Sequence, residues 1–133
     1  MSGTEILADA SRDPQLLKGV LPMLVLRTLQ EEETYGYALV VRLQEAGLPG
    51  LSTGTVYPVL ARLERDGLVT ARLAPSASGP ARKYYRPTAA GEERLVRAVA
   101  AWEALGRTVA RVLAPDDAPP PRPPTDHPPG ARA

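Results

Sequence analysis

The residues of this chain with chemistry to offer are hydroxyls and cations, and they gather in its middle third. Ser52, Thr53 and Thr55 stand just ahead of an apolar repeat, Arg62 and Arg65 follow, and Arg82-Lys83 precede the pair Tyr84-Tyr85. Ser52 is a good helix N-cap, so the three hydroxyls would meet at the first turn of a helix, beside free backbone amides that attract anions. Such a turn suits phosphate oxygens and base edges, and arginines further along suit phosphates. Charge divides the same way. Residues 52–88 hold six Lys/Arg against two Asp/Glu, residues 1–51 hold four against seven, and residues 89–133 hold six of each. A basic segment inside a chain of net charge +1 points to an anionic partner docking on one face.

Other chemistries lack the residues they need. There is no cysteine, and the single histidine, His127, lies in a proline-rich end. Thiol nucleophiles, disulfides, cysteine or histidine metal sites and the usual neutral-pH general base are therefore missing from the part that can fold. The spacing of the remaining Ser, Thr, Tyr, Asp, Glu, Lys and Arg suggests no catalytic set, so no enzyme activity, cofactor or metal is expected. The opening residues have neither a basic start nor an apolar run, and the longest apolar stretch, Val20 to Leu26, is too short to span a bilayer. A cytoplasmic protein with no membrane partner is the expectation.

The elements that must position the hydroxyls and cations can be read from punctuation and periodicity. Eight of the fifteen prolines in the 133 residues fall between Pro115 and Pro129, so residues 1–13 read as an N-terminal extension and 115–133 as a disordered proline-rich tail. The tail has three readings, a passive segment, an SH3-like docking ligand or a modulator of binding, and the passive one is the expectation. Asp13-Pro14 reads as a helix start and Leu16 to Leu29 as a buried helix. Pro22 either kinks it or marks a proper start near Gly19 to Leu21; the sequence does not choose. After the acidic loop Glu31 to Glu33, a second helix runs from about Tyr35 to Gly47. A third follows Ser52, with Val56, Val59, Leu60 and Leu63 at helical spacing and an end at Gly67. Val69 to Ala74 and Arg82 to Arg86 read as a hairpin with a seven-residue loop between them.

Thr88 can cap a last helix that carries Glu92 and Glu93 in its first turns and stops at Pro115. Along it Leu95, Val99, Trp102, Gly106, Val109 and Leu113 fall at heptad spacing. About 25 residues make roughly 37 Å of helix, longer than a domain built from the preceding short elements. Pairing with a second copy is the simplest way to bury the stripe, so Leu95, Val99, Trp102, Val109 and Leu113 are the candidate dimer interface. Packing back on the first helix of the same chain is the alternative.

Three helices and then a hairpin is the order of the winged helix-turn-helix, in which the third helix enters the DNA major groove and the hairpin reaches the backbone or minor groove. The fold expected is mainly α (α+β), with the DNA-binding domain at 14–88 and a long dimerisation helix at 89–114. The residues then carry a resemblance. GTVYPVLARLERDGLV from Gly54 to Val69, ARKYYRPTAAGEERL from Ala81 to Leu95, and Tyr35-Gly36-Tyr37 at the second helix resemble the PadR family of transcriptional regulators, over roughly Leu16 to Leu113. The single long helix after the wing is similar to its smaller subfamily. Pro87 departs from the pattern, and the wing is expected to fray on that side.

That resemblance implies a homodimer that binds an inverted repeat in double-stranded DNA near a promoter, usually represses, and is released by a small molecule. Carried over by residue, the DNA-facing candidates are Tyr37, Thr53, Thr55, Tyr57, Arg62, Arg82, Lys83 and Tyr85, of which Thr53, Thr55 and Tyr57 would sit at the groove, while Tyr37, Arg62, Lys83 and Tyr85 would fix register on phosphates. Tyr57 and Tyr84 have an alternative reading as partly core, Arg65 as a partner of Glu64 or Asp66, and Arg72 as a solubilising strand residue. Trp102 has two readings. It is plain dimer core, or two copies of it stack a flat aromatic effector, with Leu17, Leu21, Val99, Gly106 and Val109 as neighbours and a hydrophobic ligand implied. A dimeric winged-helix interaction module without specific DNA binding is the rival function.

Overall fold

The computed structural model describes residues 10–115 and residue 121. Most of the N-terminal extension and nearly all of the proline-rich tail lie outside the described residues. Ala10–Arg12 form one turn of 3-10 helix, and Asp13 then caps the first helix, its carboxylate accepting a hydrogen bond from the Leu16 amide at 3.1 Å. Helix α1 runs Pro14–Glu31 with Pro22 inside it. The start is therefore at Pro14 and not near Gly19 to Leu21. Pro22 deprives the Lys18 carbonyl of its intrahelical donor, and burial of Leu17, Leu21, Val25, Leu26 and Leu29 outweighs that loss.

The acidic segment leads into a short strand, β1 (Thr34–Tyr35), where the sequence suggested the end of a loop and the start of the second helix. Helix α2 is Gly36–Ala46. Helix α3 is Thr53–Arg65, capped by Ser52, whose hydroxyl accepts from the Thr55 amide at 3.2 Å. Strands β2 (Val69–Ser76) and β3 (Gly79–Pro87) form the hairpin. With β1 they make a three-stranded antiparallel sheet in the order β1-β3-β2, so the expected two-stranded wing gains an edge: Thr34 opposes Tyr85 and Tyr35 opposes Tyr84.

Two details of the hairpin correct the sequence reading. Its loop is not seven residues, since only Ala77 and Ser78 separate the strands. Pro75 lies within β2 and not in the loop, since β2 is an edge strand, where a missing amide costs only the register irregularity seen between Ala74 and Ser76. Nor does Pro87 fray the wing. It opposes Val69 at the end of the ladder, and the next amide, Thr88, donates to the Leu68 carbonyl at 3.0 Å. Alternation turns the Pro87 nitrogen to the other side, at a level where β1 has not begun.

Thr88 welds the wing to the last helix. Its hydroxyl donates to the Gly67 carbonyl at 2.7 Å and accepts from the Gly91 amide at 3.0 Å. Helix α4 then runs Ala89–Val112. Gly91 is buried where a Cβ would collide with the Leu68 carbonyl oxygen and meet the Leu26 side chain at 3.4 Å, so only glycine lets α4 approach that turn. The core collects α1 (Leu17, Leu21, Val25, Leu26, Leu29), α2 (Leu39, Val40, Leu43), α3 (Val56, Leu60, Leu63), Leu51, Leu68, Val69 and Leu95. The chain divides into two compact units, Met1–Val99, which holds this core and the opening turns of α4, and Ala100–Ala133. No helix among the described residues is long and apolar enough to cross a membrane.

Replacing Gly91 by Ala is expected to destabilise the fold by about 2 kcal/mol, as overpacking against backbone does. Thermal unfolding should then begin roughly 10 °C lower. Gly19, with nothing within 4 Å of a would-be Cβ, supplies the control: Gly19→Ala in α1 should leave the midpoint unchanged or raise it.

Candidate nucleic-acid interface

Helix α3 can give only one face to the core. Val56, Leu60 and Leu63 are buried, which leaves Thr53, Gly54, Thr55, Tyr57, Pro58, Ala61 and Arg62 exposed on the rest of its circumference. The N-terminal turn is fixed by more than its cap. The Ser52 and Thr55 hydroxyls lie 3.1 Å apart, the Gln44 side-chain amide donates to the Leu51 carbonyl at 2.8 Å, and the Gly50 amide donates to the Ser11 hydroxyl at 2.9 Å. The loop that delivers α3 is therefore pinned to α2 and to the turn before α1. This presents Thr53 and Thr55 on a rigid helix end, the arrangement that anions and base edges require.

Tyr57 combines its two readings. Its ring lies against Gly36, where an added Cβ would come within 2.6 Å of the ring, yet 49% of the residue is exposed. The ring is placed by the backbone of α2 and the rest faces outward. Tyr37, in the first turn of α2, is 60% exposed. Tyr85 is half-buried and packs on the core. Between α3 and β3, Tyr57 and Tyr85 border a groove of about 480 Å³, lined also by Tyr35, Gly36, Glu64 and Lys83 among others.

Arg82 and Lys83 are adjacent cations on the wing, and the structure gives each a partner. Alternation along β3 sends them different ways. The Lys83 ammonium is 3.0 Å from a Glu64 carboxylate oxygen on α3 and 5.5 Å from the Tyr85 ring, and the hydrogen bond to Glu64 holds the lysine pKa above its ordinary value. The Arg82 guanidinium stands 4.3 Å over the Tyr35 ring, which meets Tyr84 edge-on at 5.4 Å. Arg72 does more than solubilise a strand. It makes a two-pronged contact with Glu33, at 2.9 and 2.8 Å, and lies 5.5 Å from the Tyr84 ring. Arg65 pairs with Asp66 at 3.8 Å. Arg62 is in no ion pair with another described residue. The line Glu33, Arg72, Tyr84, Tyr35, Arg82 across the sheet was missed in the sequence because Tyr35 belongs to, and Glu33 immediately precedes, a strand that only its pairing defines.

The remaining site candidates lie elsewhere. Leu17 and Leu21 are buried in the core and also border a cleft against α3. Leu95, expected on the dimer face, is 2% exposed inside the chain's own core, because the Thr88 and Gly91 contacts bring the first turns of α4 onto it. Val99 packs partly on that core. Trp102, Val109 and Leu113 are exposed, as are Val96, Leu105 and Val112, and Gly106 is half-exposed.

Comparison with known proteins agrees with this geometry. Residues 25–97 match the Transcriptional regulator PadR-like family. The chain is 38% identical over 85 residues to transcriptional regulator Rv3488 of Mycobacterium tuberculosis, a match covering 64% of this chain and 78% of that one. It is similar to the crystal structure of a PadR-like transcriptional regulator from Bacillus cereus, with a TM-score of 0.69, 37% identity and coverage of 77% of this chain and 99% of that one. It is also similar to that of a PadR family transcriptional regulator from Eggerthella lenta, with a TM-score of 0.70, 38% identity and coverage of 77% and 88%.

The Arg72 contact holds the Glu33 carboxyl below its ordinary pKa, against a smaller opposing effect of burial. A lowered folded value means that the pair's stabilisation is complete above the ordinary glutamate pKa of about 4.3 and disappears as the pH falls through the lowered one. Carboxyl carbon NMR is expected to show Glu33 titrating below the ordinary glutamate value, and Arg72→Ala should raise it toward that value.

Proposed function

This chain belongs to the PadR-like family of transcriptional regulators, and on that footing we propose that it binds an inverted repeat in double-stranded DNA as a homodimer and represses the adjacent promoter. The observation that carries the reading is the outward face of α3. Thr53, Thr55, Tyr57 and Arg62 are exposed together on a helix anchored from behind, with Tyr37 and the wing residues Arg82, Lys83 and Tyr85 beside it. An α-helix fits the major groove of B-DNA. Threonine hydroxyls at its first turn reach base edges, while Arg62, the wing cations and the tyrosine hydroxyls take phosphates and set register. The two inward partners of the wing do not oppose this. Exposed ion pairs contribute little, and a phosphate offers Lys83 more than Glu64 does, because it brings the release of condensed counterions.

The dimer is supported by the apolar residues left open on α4. From Val99 onward, Trp102, Val109 and Leu113 keep heptad spacing, and Leu105 and Val112 broaden the stripe. An uncovered apolar stripe of this length is what a second copy buries. A flat hydrophobic effector stacked on Trp102 of both subunits belongs to the same reading, as does a cytoplasmic location. A second reading, an interaction module without specific DNA binding, is favoured by one observation only: Lys83 and Arg82 already have partners within the chain.

A mobility-shift titration against DNA from upstream of the protein's own gene, at two salt concentrations with scrambled competitor, separates these readings. Two protomers per site and binding that weakens with salt are expected. Arg82→Ala with Lys83→Ala should weaken binding to all sequences alike and lower the salt slope by about 1 for each lost phosphate contact, whereas Thr53→Ala and Thr55→Ala should relax sequence preference. Unchanged binding in the wing variant would favour the interaction module. For the dimer, Val109→Glu is expected to give a monomer in sedimentation equilibrium with its helix content retained, and a dimer that survives this change would place the interface elsewhere.

A further inference from the structure

A second concavity opens between α1 and α3, away from the wing. It encloses about 290 Å³, near the lower end of the range for small-molecule pockets. Leu17, Leu21 and Val59 supply apolar surface. Pro22 and Pro58, the interior prolines of the two helices, both border it. Each ring stands where an amide would have bonded the carbonyl four residues back, so the carbonyls of Lys18 and Gly54 are left without intrahelical donors.

Charge decides what such a cleft takes. Lys18 enters from α1 and Arg62 from α3, and neither is in an ion pair with another described residue. The contrast is with Arg42, Arg65, Arg72 and Lys83, each of which has an acidic neighbour. Among the described residues, no carboxylate lines the cleft. Two unpaired cations on opposite walls over an apolar surface form a site with one charge preference and a dry floor.

We propose that this cleft binds a small organic anion with an apolar body, its head held between Lys18 and Arg62 and its body lying on Leu17, Leu21 and Val59. Thr55 and Arg62 also belong to the outward face of α3, so ligand and DNA would exclude one another. That consequence rests on the DNA reading above; the binding itself does not.

The test is a titration of the full-length protein, free of DNA, with 2-naphthoate, followed by ¹H–¹⁵N NMR, with 2-naphthylmethanol as the uncharged counterpart. Saturable shifts are expected at the amides of Lys18, Leu21, Thr55 and Val59. The alcohol, and the Lys18→Ala/Arg62→Ala variant, should bind about tenfold more weakly or worse, as expected for losing a charged hydrogen-bonding partner. Val59→Trp fills the cleft and should abolish the shifts, with the remaining spectrum reporting that the fold is intact. Equal binding of the alcohol, shifts confined to Trp102 and Val109, or no saturation at millimolar concentration would overturn the proposal. Where the DNA complex forms, 2-naphthoate and not the alcohol should release it; saturable binding without release would overturn the competition.

Discussion

The rest of the molecule depends on the burial of one face of α3. Val56, Leu60 and Leu63 are held against α1 and α2 with almost no exposed surface, and a helix of 13 residues with one face in the core must turn the other to water. That single constraint leaves Thr53, Thr55, Tyr57 and Arg62 open on the outer face of the helix. Everything around it serves the placement. Ser52 fixes where the helix starts, Gln44 and Ser11 hold the preceding loop, and the ring of Tyr57 is seated on Gly36 because no side chain stands there to displace it.

The wing is tied to this helix and to the segment around β1 by contacts that hold without locking. Lys83 to Glu64, Arg72 to Glu33 and Arg82 over Tyr35 are all at the surface, where electrostatic pairs are weak and screened by salt. They orient the strand in the absence of a partner and yield at little cost when a stronger anion arrives. The Thr88 junction behaves differently. Its three short hydrogen bonds and the glycine-only approach at Gly91 fix the start of α4 to the turn after α3, so the opening turns of the last helix move with the domain that carries the α3 face.

The cleft between α1 and α3 adds a separate feature to the same helix. Each interior proline costs its helix a backbone hydrogen bond, and here Pro22 and Pro58 border one concavity from two sides. A ligand there would touch Thr55 and Arg62, which also belong to the outer face of α3, with no need for motion to travel between distant parts of the chain.

Local rules reached a long way in this sequence. Asp13-Pro14, Ser52 and Thr88 announced three helix starts because capping is decided by a few adjacent atoms, and the three- and four-residue spacing of Val56, Leu60 and Leu63 announced the buried face and hence the exposed one. The order of helices and hairpin, with the motifs on them, determined the fold and the family. What only the tertiary structure decided were matters of pairing between distant segments. Thr34 and Tyr35 become a strand because β3 lies beside them; two residues carry no period of their own. Pro75 and Pro87 were legible as breakers, yet whether a missing amide matters depends on which side of a strand is paired. The wing cations acquired partners from α3 and β1 that no local pattern names. Leu95 had the spacing of an interface residue and became core, because periodicity tells which residues share a face of a helix, and only the packing around that helix tells what the face is turned against.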